Sequence, residues 1–290
     1  MSLAELFSQN SFVLSYELFP PKTDAGMVTL ADHLRKLIEF RPDFITCTYG
    51  AGGSTRDKTL STLALVRELT PVPLATHLTC VGSTADELRT YLQRAEAQGI
   101  AHVVALRGDA PGGAGAFVPV EGGFRHASEL IAFLRAEFPR FGIVAAGYPE
   151  THPEALSPEA DLDNLKRKVD AGADAIVTQL FYSNTDFFRF RDRCAAMGVS
   201  VPVVPGIMPV TNFGQIKRIT SMCGASLPAA LTETFERVAG DDEGQYQAGV
   251  DFATRQVDEL LRAGVPGVHF YVLNQSRATS SVLGALNLRP

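Results

Sequence analysis

The sequence predicts an α/β protein, a (β/α)8 TIM barrel of parallel strands with an extra helix before the last unit. Three observations carry this expectation. Short, nearly all-apolar runs alternate with amphipathic stretches along the whole chain, the pattern of a parallel sheet covered on both faces. The apolar runs number eight, the closure number of the barrel. Gly99, Gly172, Gly198 and Gly264 each end an amphipathic stretch just before an apolar run, where a helix takes a left-handed terminal residue. A doubly wound open sheet is the rival, but no dinucleotide-binding glycine fingerprint follows the first run and no P-loop pattern occurs.

The first strand, Phe12–Phe19, places Val13, Ser15, Glu17 and Phe19 on one face and Leu14, Tyr16 and Leu18 on the other. Pro20 and Pro21 end it, since neither can donate a ladder hydrogen bond. The remaining strands are expected at Phe44–Tyr49, Leu74–Cys80, His102–Arg107, Ile143–Gly147, Ala175–Phe181, Val201–Ile207 and Val268–Leu273. Helices are expected over Met27–Phe40, Arg56–Thr70, Ala85–Gln98, His126–Glu137, Pro158–Ala171, Asn184–Met197 and Phe213–Cys223. The pair Pro228–Val238 and Gly244–Ala263 supplies the extra helix, and Ser276–Leu286 closes the chain. Periodicity is clearest where Leu88, Tyr91, Leu92 and Ala95 recur along one helical face. Thr84, Ser128, and Ser157 or Ser183 are suited to N-cap positions. The acidic run Asp241-Asp242-Glu243 reads as a solvated turn. The glycine-rich stretch Ala110–Gly123 reads equally as an active-site lid or a surface loop.

No break in composition divides the 290 residues, so one catalytic barrel domain over residues 1–290 is expected. Hydrophobic residues make up 46% and charged residues 20%, an ordinary globular balance. A net charge of −6 argues against nucleic acid and anionic membranes as partners. No basic segment precedes an apolar run at the start and no run is long enough to span a bilayer. Cys47, Cys80, Cys194 and Cys223 form no CxxC pair and read as reduced thiols, which suits the cytoplasm. No metal-ligand spacing stands out.

Residues capable of chemistry gather at the C-terminal ends of the strands: Glu17, then Thr48 and Tyr49, His77, Arg107-Gly108-Asp109, Tyr148 with His152, Gln179, and Asn274 with Gln275. The seventh strand ends in Pro205-Gly206-Ile207-Met208-Pro209, with Asn212 and Gln215 just beyond. In a barrel these ends share one mouth, where active sites are built. Singly, each has a plain structural reading: His77 as a satisfied core histidine, Arg107 and Asp109 as an ion pair, Gln179 as a buried amide. Glu17, flanked on its face by Val13 and Phe19, is either a paired structural acid or a carboxyl group whose pKa burial raises toward that of a proton donor. Asp161, Asn164 and Lys168 line one helical face, with Arg167 beside it; they form a solvated stripe or a cradle for phosphate.

Taken together, the segments Ser15–Lys22, Thr48–Ala51, Ala75–Cys80, Ala105–Asp109, Tyr148–Pro153, Asp161–Lys168, Thr178–Phe181, Pro205–Val210 and His269–Asn274 resemble the bacterial, single-domain type of methylenetetrahydrofolate reductase along essentially the whole chain. The resemblance implies an FAD-dependent barrel that reduces 5,10-methylenetetrahydrofolate to 5-methyltetrahydrofolate. NAD(P)H first gives hydride to the flavin and leaves, and the folate then takes it in the same site. It implies that Glu17 is the acid that protonates the folate, and that Asp109 is the carboxylate beside flavin and pterin. It assigns Tyr49, Ala51, His77, Arg107, Gly108, Asp109, Ala127, Tyr148, His152, Ala155, Asp161, Asn164, Arg167 and Lys168 to cofactor binding. Thr48, Asp109, Gln179, Gln215 and Gln275 fall on the substrate and nicotinamide side. The expected protein is a cytoplasmic homo-oligomer acting on methylenetetrahydrofolate and NAD(P)H. Three positions depart from the family pattern: Gln275, where many relatives have Arg; Ile219, where some have an aromatic; and His126, where relatives can have Tyr. Two alternatives stay open: another flavin-dependent barrel oxidoreductase, and, motivated by Ile219 and Gln275, a flavin- or folate-binding protein that needs a partner for turnover.

Overall fold

The computed structural model describes residues 2–48, 56–109 and 117–289. Nine parallel strands form one sheet in the order β7-β6-β5-β4-β3-β2-β1-β9-β8. They are β1 (Val13–Leu18), β2 (Phe44–Cys47), β3 (Leu74–Thr79), β4 (His102–Leu106), β5 (Gly142–Gly147), β6 (Ala175–Thr178), β7 (Val203–Val204), β8 (Gly206–Ile207) and β9 (Gly267–Tyr271). The ends of this list, β7 and β8, are two halves of one strand interrupted at Pro205, which has no N–H for the ladder. The sheet is therefore a closed ring of eight positions, the (β/α)8 barrel expected. At the break the Pro205 carbonyl still accepts from the His269 N–H, at 3.0 Å.

Helices α2 (Asp24–Ile38), α3 (Arg56–Leu69), α4 (Ala85–Ala97), α5 (Ala127–Glu137), α6 (Pro158–Asp170), α7 (Asn184–Ala196) and α8 (Phe213–Cys223) follow the strands in turn, and α9 (Ala229–Arg237), α10 (Asp242–Arg262) and α11 (Arg277–Ala285) complete the ring. The four glycines read as helix ends are all left-handed. Thr84 caps α4 in a reciprocal box with Glu87, and Ser157 caps α6 through the Ala160 N–H. Ser183 stands at the N-cap of α7 without a side-chain bond. Ser128 does not cap: α5 starts one residue earlier, behind His126. Asp241 is an N-cap rather than part of a turn, and Asp242 and Glu243 sit in the first turn of α10, where helix N–H groups favour acids. A helix the periodicity did not show, α1 (Leu3–Gln9), opens the chain behind a Ser2–Glu5 capping box.

Strands buried on both faces split the core in two. Outward side chains such as Leu14, Tyr16, Ile45, Val103, Ile143 and Phe270 pack under the helices. Inward ones, Val13, Phe44, Ala75, Val104, Val144, Ala175, Val177 and Val204, fill the barrel, and Leu3 and Leu6 of α1 plug its N-terminal end. Two equivalent clamps lock that end. Asp43 accepts from the Leu14 N–H at 2.7 Å and pairs with Arg289; Asp174 accepts from the Ile143 N–H at 2.7 Å and pairs with Arg135.

Candidate active site

The C-terminal end of the barrel is built differently. Glu17 leaves β1 on its inward face between His77 of β3 and His269 of β9. His77 Nε2 lies 3.2 Å from Glu17 Oε2, and His269 Nε2 lies 3.9 Å from it. Strand register explains the meeting: Ser15 is opposite His269 and Glu17 opposite Tyr271. Ser15 Oγ, on the same face as Glu17, reaches His269 Nδ1 at 2.7 Å, so the imidazole bridges a hydroxyl and a carboxylate. Tyr271 stands edge-on to His269 at 5.2 Å and its hydroxyl donates to the Thr178 carbonyl at 2.7 Å. Burial pushes the Glu17 carboxyl upward, but His77 first and then His269 outweigh it and hold the pKa at about 2. Of the two readings the sequence left open, this geometry fits the paired acid rather than a carboxyl raised by burial. The groups that face Glu17 are imidazoles, and Phe19 lies past the strand end, 38% exposed. Thr46 Oγ1, in register with Glu17, and His77 Nε2 are buried without a hydrogen-bond partner among the described residues.

A second group gathers cations around the ends of β4 and β5. Gly108 is left-handed (φ +84°), and a Cβ there would lie 2.8 Å from Val81 and 2.9 Å from Thr79, so only glycine fits between Arg107 and the exposed Asp109. Arg107 forms a two-bond pair with Glu154. Tyr148 and His152 meet edge to face at 4.6 Å. The His152 N–H donates to Asp161 of α6 at 2.9 Å, and the Ala155 N–H donates to the His152 carbonyl. Burial lowers the His152 pKa against the pull of Asp161. Lys168 turns inward to donate to the Ala146 carbonyl at 2.5 Å; burial drives its pKa down to about 8, with Asp161 opposing. Asn164 and Arg167 stay on the exposed side of α6, so the stripe divides.

Other expected residues take positions around the same end. Thr48 is buried beyond β2, where its carbonyl accepts from Thr59 Oγ1. Gln179, half-buried past β6, has its Oε1 held by the Leu180 N–H at 2.8 Å. Gln215 is exposed in the first turn of α8 behind the N-cap Asn212. Ala127 opens α5, and Gln275 is exposed just after β9. Tyr49, Ala51 and residues 110–116 of the glycine-rich stretch lie outside the described residues. Among the described residues no group of three His, Cys, Asp or Glu is placed to hold a metal ion, and no helix is long and apolar enough to cross a membrane.

Ser15, His269 and Glu154 had no role in the sequence reading, and Asn274 was placed at the mouth without its partner. Ser15 and His269 stood inside recognised segments; the alternation that puts Ser15 on the Glu17 face was the available signal. Asn274 makes a reciprocal amide pair with Phe19, accepting its N–H and donating to its carbonyl at 2.8 Å each, and so ties the exit of β1 to that of β9. Glu154 had no signal, since Arg107 is 47 residues away in sequence. An open trough of about 390 Å³ lined by Gln247, Asp251 and Arg255 among others runs between α10 and α11, apart from the residues at the strand ends.

A closed parallel barrel with an acid–imidazole pair and a cationic cluster at the C-terminal mouth defines the class: a (β/α)8 barrel with its functional site at the strand ends. Residues 2–287 match the family model described as Methylenetetrahydrofolate reductase. The chain is 41% identical over 289 residues to the 5,10-methylenetetrahydrofolate reductase of Escherichia coli K12, covering 100% of this chain and 95% of that one. It is 39% identical to methylenetetrahydrofolate reductase (NADH) 1 of Arabidopsis thaliana, over 97% of this chain and 49% of the plant protein. The chain therefore belongs to the methylenetetrahydrofolate reductase family. Among solved structures, a Clostridium thermocellum protein described as binding two copies of 5-methyl-5,6,7,8-tetrahydrofolic acid superposes with a TM-score of 0.64 at 13% identity, over 100% of this chain and 99% of that one, a likeness of fold.

Proposed function

We propose that this protein reduces 5,10-methylenetetrahydrofolate to 5-methyltetrahydrofolate, with FAD as its cofactor and NAD(P)H as the electron donor. The observation that carries this reading is the buried Glu17 between two imidazoles, at the same mouth as a cluster of cationic donors. The cluster suits FAD. Arg107, Lys168 and His152 are donors for a diphosphate, and Gly108 lets the backbone between Arg107 and Asp109 pack onto Val81 and Thr79. Tyr49, Ala51, His77, Ala127, Tyr148, Ala155, Asp161, Asn164 and Arg167 complete the cofactor side in this reading. When bound, FAD supplies the hydride relay between NAD(P)H and folate.

The chain's own chemistry is proton transfer and charge. Opening the methylene bridge of the folate requires a proton on nitrogen. With Ser15 Oγ as the donor to His269 Nδ1, the proton of the neutral ring lies on Nε2, facing Glu17. Protonated Glu17 passes its proton to the substrate nitrogen, the imidazoles that face Oε2 stabilise the carboxylate left behind, and solvent returns the proton after turnover. Asp109 places negative charge at the rim, where it favours the cationic iminium form of the folate. Thr48, Gln179, Gln215 and Gln275 contact folate or nicotinamide. The four free thiols, three of them buried, suit a reducing cytoplasm.

The test is the visible spectrum of the purified protein under anaerobic conditions. A flavin spectrum that bleaches with NADH or NADPH and returns with methylenetetrahydrofolate is expected. Absence of flavin, or reduced flavin that the folate leaves unchanged, would overturn the reading.

A further inference from the structure

Glu154 touches both halves of the cationic cluster. Its carboxylate accepts two parallel bonds from Arg107, Nη1 to Oε2 at 2.6 Å and Nη2 to Oε1 at 2.8 Å. Arg107 Nε donates to the Gly108 carbonyl at 3.1 Å, and the guanidinium lies over the Phe117 ring, 5.1 Å from its centroid. Three N–H groups and the plane of the fork are thereby fixed. A guanidinium has five N–H groups, so one on each Nη remains for another acceptor. The backbone N–H of the same Glu154 donates to His152 Nδ1 at 3.0 Å, which leaves the ring proton of a neutral His152 on Nε2.

The turn that presents Glu154 is anchored on both sides. Glu150 accepts from the Ser226 N–H at 2.9 and 3.1 Å, and Pro153 packs against Gly224, where a Cβ would come within 3.0 Å of it. Between them Thr151 holds φ +83°, a left-handed backbone that a β-branched residue adopts only when its surroundings impose it. A half-exposed ion pair such as Arg107–Glu154 adds little to stability, so stability does not account for a strained, doubly anchored turn behind it.

We propose that Glu154 is a positioning residue for the cofactor: it sets the Arg107 fork and the His152 tautomer in the arrangement that receives the diphosphate. This assignment rests on the flavin reading above. The experiment follows release of FAD from the holoenzyme by recovery of flavin fluorescence in the wild type, E154A, E154Q, R107A and the R107A/E154A double variant, with the thermal midpoint of each protein alongside. E154A is expected to release FAD about tenfold faster, the scale of one lost charge-assisted hydrogen bond. E154Q, which keeps one acceptor oxygen, falls between E154A and wild type. The double variant releases no faster than R107A, because Glu154 acts through Arg107 and its backbone N–H survives in every variant. Thermal midpoints stay together. R107K replaces R107A in the same cycle if the alanine variant fails to fold. Release from E154A at the wild-type rate or slower, or losses that multiply in the double variant, would overturn the assignment alone. A wild-type protein that holds no flavin would overturn the functional reading and this assignment with it.

Discussion

The two ends of the barrel put the same residue types to opposite uses. At the N-terminal end two acids are closed on partners of their own chain: Asp43 on Arg289 and the Leu14 N–H, Asp174 on Arg135 and the Ile143 N–H. Apolar Leu3 and Leu6 seal what lies between. His102 Nδ1, buried without a hydrogen-bond partner among the described residues, is the exception. At the C-terminal end Glu17 and His77 meet without closing a hydrogen bond, Thr46 Oγ1 has no hydrogen-bond partner among the described residues, and Asp109, Gln215 and Gln275 are exposed. A satisfied polar group stabilises; one held in place with capacity to spare can act on something else. The contrast predicts that substitutions at one end change rates and those at the other change stability.

The sharpest way to break that contrast is Glu17→Gln. Reoxidation of the reduced protein by the folate should fall by about a thousandfold in stopped flow, while reduction by NAD(P)H stays within about twofold. Equal loss of both half-reactions would remove the proton role from Glu17. At the opposite end, Leu3→Ala should cost about 3 kcal/mol in denaturant unfolding with turnover per folded molecule unchanged. A large fall in turnover there would show that the two ends are coupled.

These two positions also show what the sequence could disclose. The eight units were legible because helix ends carry glycine and because strands buried on both faces leave unbroken apolar runs. The seven residues of α1 are too few for periodicity, although Ser2 and Glu5 do spell a capping box. Alternation put Ser15 and Glu17 on one face, but nothing local says that His269 stands across from them. That neighbour is set by barrel closure, and with His77 it lowers the Glu17 pKa where burial alone would raise it. Glu154 escaped for the same reason. Its meaning lies in Arg107, just past the end of β4, and an isolated exposed glutamate has no pattern to notice.

A smaller effect concerns His102, buried at the plugged end against Phe44. Burial lowers its pKa from 6.5 to about 4, with Asp174 opposing. Below pH 6.5 the unfolded chain takes up this proton more readily than the folded one, so stability falls as pH drops from about 6.5 toward 4. Between pH 7.5 and 5 this group should account for about 2 kcal/mol, and His102→Leu should flatten that part of the urea-unfolding profile. An unchanged profile would take His102 out of the acid response. Smallest of all, Asn274→Ala should raise KM a few-fold by loosening the exit of β1, whereas Pro20→Ala should change it less, because the amide pair ties Phe19 directly. Equal effects would show that Pro20 fixes that exit as firmly as the amide pair does.

The interruption at Pro205 has a consequence for how the molecule is made. Strands β1 to β7 can pair in order as the chain emerges, as an open and growing sheet. Only β9 joins the first strand to β8, and it is the last strand in the sequence, with Ser15 and His269 254 residues apart. It is a keystone, and contacts of such span are made late because loop closure must come first. Glu17 sits on the strand that waits for it. The pairing of carboxylate with His269 therefore cannot exist on a nascent or partly folded chain, and appears in the same step that closes the ring.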